Sequence, residues 1–194
     1  MDRIIDLSLH LLDLLQNSAH AGARNITVSV IEDQEADLLQ IAVSDDGKGM
    51  NSSEQARVLD PFYTSSNSKK VGLGLPLVAQ AAAMAGGSVS IDSNESGGTQ
   101  VSVSYKLSHP DRQPLGDISA TLVSFVAGNP LIDVVLEYKG PEGVFHLDTR
   151  QIRTEGEGQL AFIFKFEEKL RGGLSLTGYR PDRGGLFHEI NGRS

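Results

Sequence analysis

Residues 11–23 read LLDLLQNSAHAGA, and the reading of this stretch decides how the rest of the chain is understood. It lies within residues 3–20, where Leu and Ile recur at eight of the eighteen positions and neither Gly nor Pro occurs, so the spacing predicts a helix that Gly22 stops. At about 100° per residue, Asp6, His10, Asp13, Asn17 and His20 fall within roughly an 80° arc. A continuous polar stripe on so apolar a helix faces something other than the core. Three readings fit it. One is solvent. Another is a metal held by His10 with Asp13 or by Asn17 with His20. The third is a nucleotide pocket in which a carboxylate and an amide oxygen face phosphate and Mg²⁺, a cation that takes hard oxygen ligands. The helix alone leaves these open.

Working outward, Asn25–Ile31 (NITVSVI) and Leu38–Val43 (LLQIAV) alternate and read as an antiparallel pair of strands. Ser44–Met50 (SDDGKGM) is a loop, and Asn51–Asp60 has room for a short helix. Pro61–Val71 is polar and reads as a mobile loop. Pro76–Ala85 is an Ala-rich helix ended by Gly86 and Gly87, with Pro76 tolerated in the first turn. Ser88–Ser93 and Thr99–Leu107 are strands around Gly97-Gly98. Past residue 108 the character changes. His109–Gly116 (HPDRQPLG) reads as a linker; Ile118–Val126, Leu131–Tyr138 and Val144–Leu147 read as strands; Leu160–Leu170 reads as a helix, although FIFKF also suits a strand. The expected organisation is residues 1–108 as one domain, 109–117 as linker, 118–180 as a small α+β module that either extends the first sheet or stands apart, and 181–194 as a tail whose composition suits disorder.

Composition narrows the function classes. The 194 residues carry 25 acidic and 17 basic side chains, a net charge of −8, which disfavours a sequence-independent nucleic-acid binder or a role on an anionic membrane surface. Cys is absent, so there is no disulfide framework, thiolate metal site or Cys nucleophile, and a reducing, cytoplasmic location is expected. The first residues lack the basic flank and unbroken apolar run of a leader or a membrane span.

Two glycine motifs flank the chemistry. Asp45-Asp46-Gly47-Lys48-Gly49 follows a strand directly; a carboxylate at the strand end can accept from an amino group, and glycines two apart let a ligand approach the backbone. An ordinary hairpin loop is the plain alternative. Lys69-Lys70-Val71-Gly72-Leu73-Gly74-Leu75-Pro76 opens a helix, and free N–H groups, glycines and lysines together suit an anion. It is neither a Walker loop nor a dinucleotide fingerprint.

In this order the pieces resemble the ATP-binding domain shared by sensor histidine kinases, type II topoisomerases, MutL-type repair proteins and Hsp90 chaperones, the GHKL superfamily with its Bergerat fold. LLDLLQNSAHAGA is similar to the MutL-type form; DPFYTSS, GLGLPLV and GGSVSIDSNESGGTQVSVSY are similar to the histidine-kinase form. The resemblance covers about residues 3–107. It implies an α+β, two-layer sandwich with a mixed, mostly antiparallel sheet and helices on one face, here with a small C-terminal α+β extension. It also implies ATP and Mg²⁺ as ligands. Asn17 would hold Mg²⁺ and the phosphates, and Asp45 would accept the adenine amino group. Gly47 and Gly49 would make room for the base, and Thr99 would bind the adenine-side water. Phe62 and Tyr63 would belong to the lid, Gly72, Leu73, Gly74 and Leu75 would cradle phosphate, and Lys69 or Lys70 would reach it.

There are departures from the pattern. Asp13 stands where efficient ATPases of the superfamily carry Glu, one methylene longer, so Asp13 is the candidate general base with a shorter reach. Lys70 stands where kinases often have Gly. None of His10, His20, His109, His146 and His188 has the context of a phosphoacceptor histidine, so autophosphorylation within this chain is not expected. The resulting expectation is an Mg-ATP-binding regulatory protein, a kinase or ATP-sensing subunit acting on a partner protein the sequence does not identify. The alternatives are a conformational ATPase of MutL or Hsp90 type and a catalytically silent, nucleotide-switched binding module. A homodimer stays open. Asp148, Arg150, Arg153 and Glu155 form a second polar cluster, read as a solvated loop rather than an active centre.

Overall fold

A computed structural model describes residues 6–60, 74–95 and 97–181. Six strands form one sheet in the order β3-β4-β2-β1-β5-β6. β1 (Asn25–Asp33) and β2 (Leu38–Asp45) are antiparallel, as are β2 with β4 (Gly98–Lys106), β3 (Ser88–Asn94) with β4, and β5 (Asp133–Gly140) with β6 (Gly143–Asp148). Among the described strands only β1 and β5 pair in parallel, so the sheet is mixed and mostly antiparallel. β4 and β5 therefore run the same way. Their connection has to cross the sheet, and it does so through a helix, α4 (Ile118–Gly128).

Period-two alternation buries one face of the sheet. Ile26, Val28 and Val30 of β1, Leu39, Ile41 and Val43 of β2, Val101, Val103 and Tyr105 of β4, and Val134, Leu136 and Tyr138 of β5 point into the core. Thr27, Ser29, Ser44, Ser102 and Ser104 lie between them in sequence and are only partly covered. Against the buried face lies a helical layer. α1 (Leu7–His20) packs between α3 (Gly74–Met84) and α4, and α4 packs on α6 (Gln159–Ser175). The described residues also form two single-turn helices, α2 (Ser52–Gln55) and α5 (Thr149–Ile152).

The local reasons are legible. Asp6 caps α1 by accepting from Leu9 N–H, and Gly22, at φ +81°, carries the chain away past its end. Asn51 and Glu54 form a capping box around α2. α3 already includes Gly74, two residues before the expected start at Pro76.

One sequence expectation is corrected. Ile118–Val126 is helical, not a strand. Its Ile, Thr and Val favour strands locally. Yet the buried residues Ile118, Thr121, Leu122, Phe125 and Val126 recur at the helical period, and the Asp117 side chain caps the start by accepting from Ala120 N–H. Burial of that stripe against α1 and α6 outweighs the propensity. Leu160–Leu170 lies within α6, so the helical alternative holds there, with Phe162, Phe166, Leu170 and Leu174 buried at four-residue spacing. The strands after α4 extend the first sheet through β1 and β5. Among the described residues no helix is long and apolar enough to cross a membrane.

Candidate functional site

The inward alternation of β2 runs Leu39, Ile41, Val43 and then Asp45. Asp45 is thus the residue at which an apolar stripe ends in a carboxylate, on the same face as the core. Its neighbour in register on β4 is Thr99, and Thr99 pairs in turn with Ser93 on β3. The ends of three strands therefore present Asp45, Thr99 and Ser93 in a row toward the helical layer.

Hydrogen bonds fix this row. Ser18, from the last turn of α1, donates to Asp45 Oδ2 at 2.6 Å, and Gly47 N–H donates to Asp45 Oδ1 at 2.9 Å. Ser93 Oγ donates to Gly98 O and accepts from Met50 N–H. With its single proton committed there, the Thr99 hydroxyl donates to Ser93 across 2.9 Å. Asp46 has a different task. It faces outward and accepts from Arg24 N–H, Asn25 N–H and Asn25 Nδ2, which holds the turn after α1 to the end of β2. The Asn25 side chain, followed by these backbone amides, lowers the Asp46 carboxyl below its ordinary value.

Glycine is required here by space. A Cβ on Gly98, at φ +82°, would stand 1.8 Å from Asp45 O, and one on Gly49, at φ +66°, would stand 1.8 Å from Asn94 O. A Cβ on Gly47 would lie 2.9 Å from Asp45 Oδ1 and from Ala21 Cβ, covering the carboxylate that the glycine leaves open.

The other end of the site is built on α1. Asn17 is exposed, next to Ser18. Asp13, one turn earlier, is partly buried against the first residue of α3: a Cβ on Gly74 would lie 3.4 Å from Asp13 Cβ and 3.6 Å from its Oδ2. Burial pushes the Asp13 carboxyl above its ordinary value, and the nearby His10 ring pulls it partly back. Leu75 is buried beneath this helix start. The structure therefore brings together Asp13, Asn17, Asp45, Gly47, Gly49, Gly74, Leu75 and Thr99. Phe62, Tyr63, Lys69, Lys70, Gly72 and Leu73 lie outside the described residues.

Of the remaining members of the polar stripe, His20 is exposed. Asp6 is a cap, and the buried His10 donates from Nε2 to Gln113 Oε1 at 2.9 Å. Among the described residues no group of three or more His, Cys, Asp or Glu could hold a metal ion. Sequence reasoning missed Ser18 and Ser93. Ser18 could have been found from its place beside Asn17, and Ser93 from its inward position at the end of a strand.

The second polar cluster is structural. Asp148 caps α5 and is gripped by Arg150 from Nε and Nη2, while Arg153 donates to Pro130 O and lies over the Phe162 ring, 4.7 Å from its centre. A cleft of about 600 Å³ opens beside it, lined by Asp133, Arg150, Arg153 and Glu155 among others. Its guanidinium groups are already engaged by Asp148 and Asp133, which leaves no uncompensated charge to attract an anion. The chemistry gathers instead at the ends of β2 and β4.

Comparison with known proteins bears on the family and the fold. Heme sensor protein HssS of Staphylococcus saprophyticus is 30% identical over 95 residues, covering 48% of this chain and 21% of that protein. Sensor-type histidine kinase PrrB of Mycobacterium leprae is 33% identical over 84 residues, covering 42% of this chain and 18% of that protein. The chain thus spans about a fifth of the length of these curated relatives. The crystal structure of the N-terminal domain of a DNA repair protein shares the fold over 88% of this chain and 59% of that one, with a TM-score of 0.55 at 17% identity. The family described as histidine kinase-, DNA gyrase B-, and HSP90-like ATPase matches residues 3–109. With its sheet, its helical layer and more than half of its length accounted for, the chain belongs to the histidine kinase-, DNA gyrase B- and HSP90-like ATPase family.

Proposed function

We propose that the chain binds Mg-ATP and acts as a regulatory kinase or ATP-sensing subunit on a partner protein. The observation that carries this reading is the pairing of two unlike ends in one site. At one end Asp45 is a hydrogen-bond acceptor with Thr99 beside it in register, and Gly47 carries no Cβ that would cover its Oδ1. At the other, Asn17 and Asp13 offer hard oxygens at the start of α3, whose N–H groups and dipole favour phosphate. Asp45 accepts the adenine amino group, and Thr99 holds a water on the same edge. Asn17 holds Mg²⁺, which neutralises phosphate charge when bound. Phosphoryl transfer in such a site is mainly positioning and charge neutralisation. Phe62, Tyr63, Lys69, Lys70, Gly72 and Leu73 supply the lid and phosphate contacts in this reading.

The test is calorimetric titration of the chain with a non-hydrolysable ATP analogue and Mg²⁺, beside Asp45→Ala and Asn17→Ala. Saturable binding that Asp45→Ala abolishes supports the reading, and absence of binding by the unaltered chain overturns it. Transfer of label from ATP to a co-purified protein then distinguishes the kinase from a sensor.

A second reading, the conformational ATPase, is favoured by one observation. The Asp13 carboxylate lies against the start of α3, where a base that activates water would stand. Slow hydrolysis that disappears in Asp13→Asn supports it.

A further inference from the structure

The core-facing positions of α1 are Leu7, Leu11, Leu14 and Leu15, all nearly or fully buried. His10 is also buried, at 6% exposure, although it belongs to the polar stripe that continues to Asp13 and the exposed Asn17 and His20. A buried imidazole is costly unless it is bonded, and a leucine would pack here without that cost. What covers His10 is the chain leaving β4. Gln113 accepts from its Nε2–H at 2.9 Å.

That crossing segment grips the first half of α1 at three points. Leu7 N–H donates to Pro114 O at 2.9 Å, His10 donates to Gln113, and the Thr121 hydroxyl donates to Ser8 O at 3.4 Å. The second half of α1 belongs to the site, through Ser18 on Asp45 and the Ala21 carbonyl accepting from Lys48 N–H. A 14-residue helix moves as a rigid rod, so one element carries both sets of contacts. Of the three grips, His10 is the nearest to the site, one turn before Asp13 on the same face.

We propose that His10 is a positioning residue of the nucleotide site: its buried ring, held by Gln113, ties the placement of the segment entering the C-terminal layer to the placement of Asp13, and so sets nucleotide affinity. The inference rests on the nucleotide-site reading above. Linkage makes the effect reciprocal, so nucleotide in the site tightens the grip of the crossing segment on α1.

The experiment uses the full chain and a non-hydrolysable ATP analogue with Mg²⁺, titrated calorimetrically at a temperature where every variant is folded. His10→Phe keeps a ring without the donor, and Gln113→Leu keeps the bulk without the acceptor. Each weakens binding by about fivefold to tenfold, a modest coupling between sites. The double variant loses no more than either single change, because both break one link. His10→Gln places an amide N–H at the reach of Nε2 and restores affinity. Addition of the analogue to the unaltered chain slows hydrogen exchange at the Leu7 amide, the donor to Pro114 O. If the unaltered chain binds, Asp45→Ala does not, and both His10→Phe and Gln113→Leu bind as the unaltered chain does, His10 is only a core residue and the inference falls while the site reading stands. If the unaltered chain itself fails to bind, the site reading fails first.

Discussion

The Ser18 hydroxyl donates to Asp45 Oδ2 at 2.6 Å, joining the last turn of α1 to the end of β2. The bond orients the carboxylate from the helix side while Gly47 N–H holds its other oxygen. Two fixed donors leave further lone pairs on the Asp45 carboxylate free to accept. Ser18→Ala removes one of them without touching ligand. It is expected to weaken analogue binding by about fivefold, the equivalent of a single hydrogen bond of about 1 kcal/mol. Asp45→Ala is expected to abolish measurable binding. Calorimetry of the two variants side by side checks the order.

Asp46, next in sequence, is expected to matter for stability and not for binding. Its carboxyl is lowered in the folded state, so it stabilises the fold above the unfolded value of about 4. That contribution is lost as pH falls through the lower folded value. The group is exposed, so solvent screening keeps the contribution small. Asp46→Asn should lower the urea midpoint at pH 7 by the equivalent of about 1 kcal/mol and flatten the fall in stability on acidification. Urea titrations at pH 7 and pH 3 measure both.

Asp13 carries the opposite sign. Burial raises its folded value, so the ionised carboxylate weakens the fold at neutral pH, and stability rises as pH falls toward the carboxylate range. Asp13→Asn should therefore melt higher than the unaltered chain at pH 7, with the gain shrinking at acid pH, and should lose any hydrolysis. Thermal melts at the two pH values and a phosphate-release assay test the two halves of this trade separately.

Gly98 is expected to tolerate no side chain. The left-handed backbone costs an alanine about 1–2 kcal/mol, and its Cβ would collide with the Asp45 carbonyl. Gly98→Ala should destabilise the chain by at least about 2 kcal/mol and displace Asp45 with it. Gly47→Ala, at φ outside that region, should instead cost affinity more than stability. Denaturant midpoints and analogue titration of both variants separate the two effects.

Tyr179 anchors the segment that follows α6 to the start of α4. Its buried hydroxyl donates to Gly116 O at 2.7 Å and accepts from Ile118 N–H at 2.9 Å. Tyr179→Phe leaves both backbone groups without that partner and is expected to cost about 1–3 kcal/mol in urea unfolding.

How much of this the sequence carried can be judged residue by residue. The alternation Leu39, Ile41, Val43, Asp45 puts a carboxylate on the inward face by period two alone, and the helical spacing of Asp13 and Asn17 puts both on one side of α1. Gly22, Gly47, Gly49 and Gly98 marked the turns because only glycine takes such backbone or such space cheaply. These are local properties, and local spacing determined them.

The helix at Ile118–Gly128 was not determined that way. Its β-branched residues favour strand conformation locally, and only the helices it packs against, α1 and α6, make the helical stripe the better burial. The partners of Asp45 and Asp46 were equally hidden. Alternation sets which of the two faces inward, but only the packed structure brings Ser18 onto one and Asn25 onto the other. His10 differs from the rest of its polar stripe for the same reason: Gln113, 103 residues away, comes to lie over it. Spacing along one chain fixes which face a side chain takes, whereas the partner it meets there is decided by where distant segments pack.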